Sequence, residues 1–276
     1  MSSDPAKDAS QPIRPVPPIS RKNMPKFVSD THRNEQARAF RSGAELYQDV
    51  RPSYPTEVMG LLAIEHNHSY RILDVGAGTG KLTSVLGAAF GERAEVFALD
   101  PSLEMLKTLK NHGISAWQAT AEVSAARNEV FDVVTCAQTW HWVDSRAASV
   151  ECDRISTAEA QLLLVWNTLD VNIPWVHRLS RIMHSGDTLA EGFLPTVYAP
   201  WQLCDELRLR WEQPVTTQLL HRLMHTRSYW LRSTESVRDK MTANLHWYLD
   251  EHLGFHPDQE ILLPYRCDAF LYRKQK

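Results

Sequence analysis

The chain has 276 residues, of which 43% are hydrophobic and 23% charged, and its formal net charge is -3. This composition is typical of a globular protein, and the slightly negative balance argues against a phosphate backbone as the main partner. No apolar run approaches the roughly 18 residues that a membrane span needs. The four cysteines are scattered and the N-terminus lacks the apolar core of a secretion signal, so we expect reduced thiols and a cytoplasmic location.

The proline-rich and polar segment 1–28 can bury little apolar area, so we predict a disordered tail there. The remainder, 29–276, is predicted to be one domain with three parts. Residues 29–167 would form a ligand-binding core, residues 168–253 a mostly helical insertion on the substrate side, and residues 254–276 the closing strands.

The predicted elements begin with a helical pattern from Thr31 that ends at the prolines of RPSYP (51–55). Pro55 can open the next helix, in which Val58, Leu61, Leu62 and Glu65 lie at helical spacing. From Tyr70 onward, apolar strands alternate with amphipathic helices. Such alternation predicts an α/β fold with a Rossmann-like, doubly wound, mostly parallel sheet and a C-terminal helical insertion or cap. The expected strands are 70–75, 94–100, 113–119, 130–137, 160–167, 207–216 and 260–274, and the expected helices are 79–90, 102–111, 145–155, 173–182 and most of 217–253.

The sequence RILDVGAGTGKL places three glycines, Gly76, Gly78 and Gly80, directly after the first strand of the alternating region. A tight turn would need only one glycine, so three at alternate positions predict a ligand that packs on bare backbone at the strand carboxyl ends. The spacing G-x-G-x-G is neither the dinucleotide fingerprint G-x-G-x-x-G nor a P-loop.

Two carboxylates narrow the choice of ligand. Asp74 precedes the glycines, where it would repel a pyrophosphate but suit an ammonium group. Asp100 ends the second strand, where an acidic residue can accept both hydroxyls of a ribose. A glycine turn without phosphate features, one carboxylate for an ammonium and another for a ribose together describe S-adenosylmethionine (SAM).

The segments LDVGAGTGKLT and ALDPSLEML resemble the first two motifs of the class I SAM-dependent methyltransferases. The resemblance continues through TAEV, FDVVTCAQTWHWVD, LLLVWN and the upstream Y-x-x-x-RPSYP, and it covers nearly everything after the tail. It points to the small-molecule branch that includes trans-aconitate-type carboxyl methyltransferases. That family usually has a Gly-Gly turn before the fifth strand, where this chain has RISTAEAQLLL, so the loop shape there stays open.

The resemblance implies a SAM site around the glycine turn, with S-adenosyl-L-methionine as the cofactor. Asp74 would orient the turn and reach the amino group, while Asp100 would hold the ribose. The other implied cofactor-binding residues are Gly76, Ala77, Gly78 and Gly80 in the turn, Tyr47 and Arg51 over the methionine end with the guanidinium facing its carboxylate, Pro101 and Met105 beside the adenine, Ala121 and Glu122 at the adenine edge, and Gln138.

His141 follows the fourth strand and is the candidate general base, with a packing role as the alternative. A carboxylate acceptor would need no base. Asp144 could cap the next helix. The candidate substrate residues are Trp142, Trp166, Arg227 and Tyr229, with Arg266 as a further cation for an acidic substrate.

We therefore expect an enzyme that transfers a methyl group from SAM to a small-molecule acceptor, at a carboxylate or hydroxyl oxygen. Methylation of a nitrogen or carbon, or a SAM-binding regulatory protein without turnover, are the alternatives. We expect no nucleic-acid partner, and no metal because no third ligand accompanies His221 and His225. The sequence leaves the oligomeric state open.

Overall fold

The computed structural model describes residues 44–65, 68–111, 113–185 and 189–275. The predicted tail at 1–28 and the helical pattern from Thr31 to residue 43 lie outside these ranges. Within them, every helix is too short or too polar to cross a membrane.

Seven strands form one sheet at the centre of the fold. They are β1 (Tyr70–Val75), β2 (Ala94–Asp100), β3 (Ser115–Gln118), β4 (Phe131–Ala137), β5 (Ser156–Leu169), β6 (Trp201–Val215) and β7 (Ile261–Lys274). Their order is β3-β2-β1-β4-β5-β7-β6. The first five strands in that order are parallel, and β7 runs antiparallel to both β5 and β6. This confirms the predicted doubly wound sheet, whose strand order reverses between β1 and β4.

Eight α-helices flank the sheet in the described residues. They are α1 (Ala44–Val50), α2 (Lys81–Phe90), α3 (Leu103–Asn111), α4 (Ser145–Ile155), α5 (Pro174–Ile182), α6 (Thr217–His225), α7 (Ser228–Arg232) and α8 (Glu235–His246), which a π-helical segment continues over Trp247–His252. The predicted cap of α4 is confirmed, because the Asp144 side chain accepts hydrogen bonds from Arg146 N and Ala147 N.

Strand side chains alternate between two buried faces. Leu73 and Val134 pack on one side of the sheet, whereas Ile72 and Val133 pack on the other. Burial on both faces explains why these strands are continuously apolar in sequence. A further apolar cluster joins α5, α6 and α8 to Val50 of α1 and forms the cap.

The helix predicted to begin at Pro55 and to include Glu65 is wrong in type and length. The structure has a 3₁₀ helix at Thr56–Leu61, and Leu62 is already extended with a ψ of 125°. The backbone of Ala63 pairs instead with the side chain of Gln161 on β5, with Ala63 N donating to Oε1 at 3.0 Å and Ala63 O accepting from Nε2 at 3.3 Å. This contact takes the backbone groups that a longer helix would use.

Two strands begin earlier than predicted, β6 at Trp201 and β5 at Ser156. Residues 202–206 of β6 are exposed, yet all of them except Cys204 pair with β7. At β5, Ser156 follows Ile155 of α4 without a loop and is extended, with φ -99° and ψ 144°. The Gly-Gly turn of the resembling family is therefore replaced here by a direct change from helix to strand.

Candidate active site

The glycine turn, residues 76–80, leaves the carboxyl end of β1 and leads into α2. Its first two amides are anchored on the neighbouring strand, because Gly76 N and Ala77 N both donate to Leu99 O, at 2.8 and 3.0 Å. Gly80 N then donates to Ala77 O at 2.9 Å and begins α2. The turn is thus fixed to β2 at the carboxyl end of β1, the strand beside which the strand order reverses.

The three glycines of the turn have positive φ angles but different surroundings. A β-carbon at Gly76 would lie 2.3 Å from Thr139 Cγ2, and one at Gly80 would lie 2.2 Å from Leu109 Cδ2. A β-carbon at Gly78 would meet no described atom within 4 Å. Two of the glycines therefore make room for the protein's own side chains, and Gly78 is the one that presents backbone to open space.

Asp74 is buried at the end of β1, with 1% of its surface exposed. Its Oδ2 accepts a hydrogen bond from Thr83 Oγ1 at 2.7 Å, and its Oδ1 accepts one from Thr135 Oγ1 at 3.0 Å. Burial raises the pKa of Asp74 to about 6, against the lowering effect of the two hydroxyls. The carboxyl group thus sits where its negative charge needs a cationic partner.

Asp100 holds the glycine turn from the end of β2. Its Oδ2 accepts from Gly78 N at 2.9 Å and its Oδ1 from Ser102 N at 2.7 Å. Burial raises the pKa of Asp100, and the two backbone amides oppose that shift. A carboxylate has about four lone-pair positions, so Asp100 can accept further hydrogen bonds from a ligand.

A cavity of about 440 Å³ lies along the carboxyl edge of the sheet. It extends from Asp100 and Ala121 on one side to Leu169 and Tyr265 on the other, and the last two are paired across β5 and β7. This volume is within the range of small-ligand sites, which is about 300–1,000 Å³.

Arg51 joins α1 to the cap above the cavity. Its Nε donates to Thr226 Oγ1 at 2.9 Å, its Nη2 donates to Thr226 O at 3.0 Å, and the guanidinium lies 5.0 Å from the centre of the Tyr47 ring. On the outer side, Arg222 of α6 pairs with Asp49 of α1 at 3.0 Å. The Arg51 guanidinium, which we expected to face a cofactor carboxylate, thus directs two donors at Thr226.

Most of the predicted site residues line this cavity. Among the cofactor candidates, all but Gly80 do so, and the substrate candidates Trp142 and Arg227 do so as well. Arg227 is buried, with 5% of its surface exposed, and brings a positive charge to the cavity wall. Glu122 lines it while accepting a hydrogen bond from Asp144 N at 2.9 Å.

His141 does not line the cavity, contrary to the expectation for a general base. Its Nδ1 accepts a hydrogen bond from Trp166 Nε1 at 3.1 Å. Trp166, a predicted substrate residue, is also outside the cavity and packs edge-on against Phe193 and Phe270, with ring centres 5.2 and 5.8 Å away. Both residues have the packing role that was the alternative for His141.

Tyr229 and Arg266, two further substrate candidates, are also not part of the cavity wall. The Tyr229 ring is exposed and stacks on His184, with ring centres 4.0 Å apart. Arg266 is buried in an ion pair with Asp268, at 2.7 Å, and its Nη2 donates to Leu189 O at 3.0 Å. Arg266 therefore connects β7 to the loop at Leu189 and does not line the cavity in which an acceptor would bind.

Asn167 is a cavity-lining residue that we did not predict. Its Nδ2 donates to Ser53 O at 2.7 Å, and its Oδ1 accepts from Trp211 Nε1 at 2.9 Å. Its carbonyl oxygen accepts a hydrogen bond from Gln138 Nε2, and Gln138 itself has a φ of 53° in the left-handed region. The only sequence signal was the polar residue that ends the apolar run LLLVWN. Thr79, Lys81, Thr139, Tyr54 and Tyr265 also line the cavity and were not predicted.

Comparison with known proteins decides the family. A family model for a methyltransferase domain matches residues 73–164. An uncharacterized methyltransferase of Mycobacterium tuberculosis is 34% identical over 237 residues, which cover 84% of this chain and 94% of that protein. An uncharacterized methyltransferase of Schizosaccharomyces pombe is 30% identical over 217 residues, which cover 75% of this chain and 86% of that protein. The chain belongs to the class I SAM-dependent methyltransferases.

The fold of this methyltransferase is also found among solved structures. The structure of a proposed type II methyltransferase from Anaeromyxobacter dehalogenans matches it with a TM-score of 0.61 and 21% identity. The match covers 81% of this chain and 97% of that chain.

The cavity of this methyltransferase fits the cofactor of its family. Gly78 offers bare backbone, and the buried Thr79 Oγ1 has no hydrogen-bond partner among the described residues. Asp100 can accept ribose hydroxyls, and Asp74 can pair with an ammonium group. Two carboxylates beside the turn would repel a pyrophosphate but suit adenosine joined to a cationic amino acid.

Proposed function

We propose that this methyltransferase moves the methyl group of SAM to a carboxylate oxygen of a small acid. The proposal rests on one observation: the glycine turn, Asp100, Arg227 and Asn167 all line the same cavity. In this proposal residues 29–167 hold the cofactor, while the cap, within residues 168–253, supplies Arg227 to the acceptor.

At the cofactor end, Asp100 would accept the ribose hydroxyls and Asp74 would pair with the amino group. Pro101, Met105, Ala121 and Glu122 would border the adenine, since they line the same end of the cavity. When bound, the cofactor supplies a methyl group on a sulfonium, so that an acceptor oxygen bonds the methyl carbon while the S–C bond breaks and a neutral thioether leaves. The protein's own contribution is to align the two and to exclude water.

The cavity favours an acid as the acceptor, because three basic residues line it: Arg51, Lys81 and Arg227. None of the described residues that line it is a histidine. The three lining carboxylates already accept hydrogen bonds from the protein: Asp74 from two threonines, Asp100 from two amides and Glu122 from Asp144 N. A carboxylate acceptor has no proton to lose. It would instead pair with a buried guanidinium such as that of Arg227. The resemblance to trans-aconitate-type enzymes implies the same acceptor.

The proposal is tested with methyl-labelled SAM and a panel of small mono-, di- and tricarboxylic acids, each beside its amide. A methyl ester releases labelled methanol in alkali, so we expect volatile label from one or more acids and none from the amides. Label that resists alkali would contradict the carboxylate acceptor and indicate methylation of a hydroxyl oxygen, a nitrogen or a carbon. Binding of SAM without any labelled product would favour the regulatory protein.

The Arg227→Gln variant tests the acceptor end separately. Loss of a buried charge-assisted hydrogen bond should raise the KM for the acid about tenfold or more while the Kd for SAM stays the same. An unchanged KM would contradict the role of Arg227, and a Kd that weakens equally would indicate general damage to the fold.

A further inference from the structure

Tyr54 lies in the segment between α1 and β1 and is one of the residues that line the cavity. Its position is fixed on both sides. Pro52 and Pro55 restrict the backbone around it, and the preceding Ser53 O accepts a hydrogen bond from Asn167 Nδ2 at 2.7 Å. The ring packs against the apolar cluster between the sheet and α2. The hydroxyl is therefore held in one place before any ligand binds.

The Tyr54 hydroxyl forms no hydrogen bond with any of the described residues, so its donor is available to a ligand. Burial, with Tyr47 and Asp74 nearby, raises its pKa well above the ordinary value of 10.0. A phenol in that state keeps its proton at neutral pH and cannot act as a base. It can donate a hydrogen bond to an anionic or neutral acceptor that enters the cavity.

The methionine part of the cofactor carries an ammonium and a carboxylate on the same carbon atom. The groups that bind these two charges must therefore be close together. Tyr54 and Asp74 line the same cavity and interact electrostatically. Arg51, the residue that we first expected to meet the carboxylate, directs its Nε and Nη2 at Thr226.

We propose that the Tyr54 hydroxyl donates a hydrogen bond to the methionine carboxylate of SAM, beside the ammonium group held by Asp74. The inference rests on the proposed binding of SAM at the glycine turn, and it assigns a cofactor-binding role to the tyrosine of the RPSYP segment.

The test compares three ligands on the Tyr54→Phe variant by calorimetry. SAM and S-adenosylhomocysteine carry the carboxylate, whereas 5′-methylthioadenosine lacks the whole amino-acid part. The variant should lose a hydrogen bond to a charged group only in its complexes with SAM and S-adenosylhomocysteine. We therefore expect the Kd values of these two ligands to rise about tenfold and that of methylthioadenosine to stay unchanged.

Two further variants serve as controls. Tyr70→Phe removes the same atom from a tyrosine at the amino end of β1, where its hydroxyl accepts from Glu65 N, and all three affinities should be those of the wild type. Asp100→Asn should weaken all three ligands, because each contains the ribose.

Tyr54→Phe protein that binds S-adenosylhomocysteine with wild-type affinity would overturn the inference alone. So would an equal loss for methylthioadenosine, since the defect would then not lie at the carboxylate. Wild-type protein that binds neither SAM nor S-adenosylhomocysteine would overturn the proposed function, and this inference with it.

Discussion

At the glycine turn, three residues of one type meet three different constraints. Gly76 leaves room for the β-branched Thr139, Gly80 leaves room for Leu109, and Gly78 faces the cavity. All three also have φ angles that cost a residue with a β-carbon about 1–2 kcal/mol. Backbone strain is thus common to the three, whereas the steric consequences differ.

Alanine substitutions should separate these roles. Gly76→Ala should lower the free energy of unfolding by about 2–5 kcal/mol, because the clash with Thr139 adds to the backbone strain. Gly78→Ala should lower it by only about 1–2 kcal/mol but weaken SAM binding strongly, since its β-carbon projects into the cavity. Urea unfolding and calorimetry measure the two effects. Equal stability losses with unchanged SAM affinity for Gly78→Ala would contradict this division.

Asp74 should make stability depend on pH in a defined direction. Its pKa is about 6 in the fold against 3.8 for the ordinary group, so the native state holds the proton more tightly. Because the native state then binds more protons than the unfolded one, the free energy of unfolding falls as the pH rises from about 4 to about 6. The ionised side chain is a cost that ligand binding can offset.

The Asp74→Asn variant tests this cost. Its free energy of unfolding should exceed that of the wild type by roughly 2–3 kcal/mol at pH 8, and the difference should shrink toward pH 4. The same variant should bind SAM more weakly at pH 8, because a neutral amide cannot neutralise an ammonium group. Unfolding curves at pH 4.5, 6 and 8 provide the comparison. A difference that does not change with pH would contradict the assignment.

Among the elements, α1 packs against the cap through Val50 and makes one inner and one outer polar contact with it. The inner contact, Arg51 to Thr226, uses two charge-assisted hydrogen bonds. The outer contact, Arg222 to Asp49, joins two side chains that are 42% and 61% exposed. Exposed ion pairs contribute about 0–1 kcal/mol, so the inner contact should dominate the docking of α1.

Hydrogen exchange can rank these two contacts. In Arg51→Gln, the amides of Ala44–Val50 should exchange about tenfold faster or more, because the helix opens without unfolding the sheet. In Arg222→Gln, the matched change on the outer side, the increase should stay below about fivefold. Similar rates in the two variants would show that the inner contact does not control α1.

The tight turn after β4 shows why side-chain roles were harder to predict than elements. Trp140, His141 and Trp142 form a 3₁₀ turn, in which successive side chains point about 120° apart. Trp140 Nε1 donates to Thr196 O, His141 faces Trp166 and Trp142 faces the cavity. The sequence shows that all three residues follow the fourth strand. It does not show the direction in which each side chain points, and that direction decides which one can reach a ligand.

For the whole molecule, the sequence predicted the sheet class and most helices because apolar periodicity is local information. It also predicted residues that line the cavity beside the glycine turn, since the motif residues follow consecutive strands. The position of β7 between β5 and β6 depends on pairing between distant segments, and no local pattern records it. Asn167 and Tyr54 were missed for the same reason, because their roles arise from segments 114 residues apart that meet at Ser53.

Ligand binding should stabilise the molecule as a whole by mass action. S-adenosylhomocysteine at 100 times its Kd adds about 2.7 kcal/mol, which corresponds to a rise in Tm of roughly 5–10 °C for a chain of this size. NAD and ATP at equal concentration should leave the Tm unchanged, because two carboxylates flank the turn. A comparable rise with either nucleotide would contradict the choice of ligand. Differential scanning fluorimetry makes the measurement.

The strand β7 has an effect on the order of assembly during translation. Among the strands of the described residues it is the seventh in the chain but the sixth across the sheet, and it is the only one of them with which β6 pairs. When the ribosome has synthesised the chain up to residue 260, β6 is therefore present without β7. Arg227 is likewise present without Tyr265, which lines the same cavity. The cavity of the nascent protein should therefore be completed in one late step, when β7 inserts between β5 and β6, which were synthesised before it.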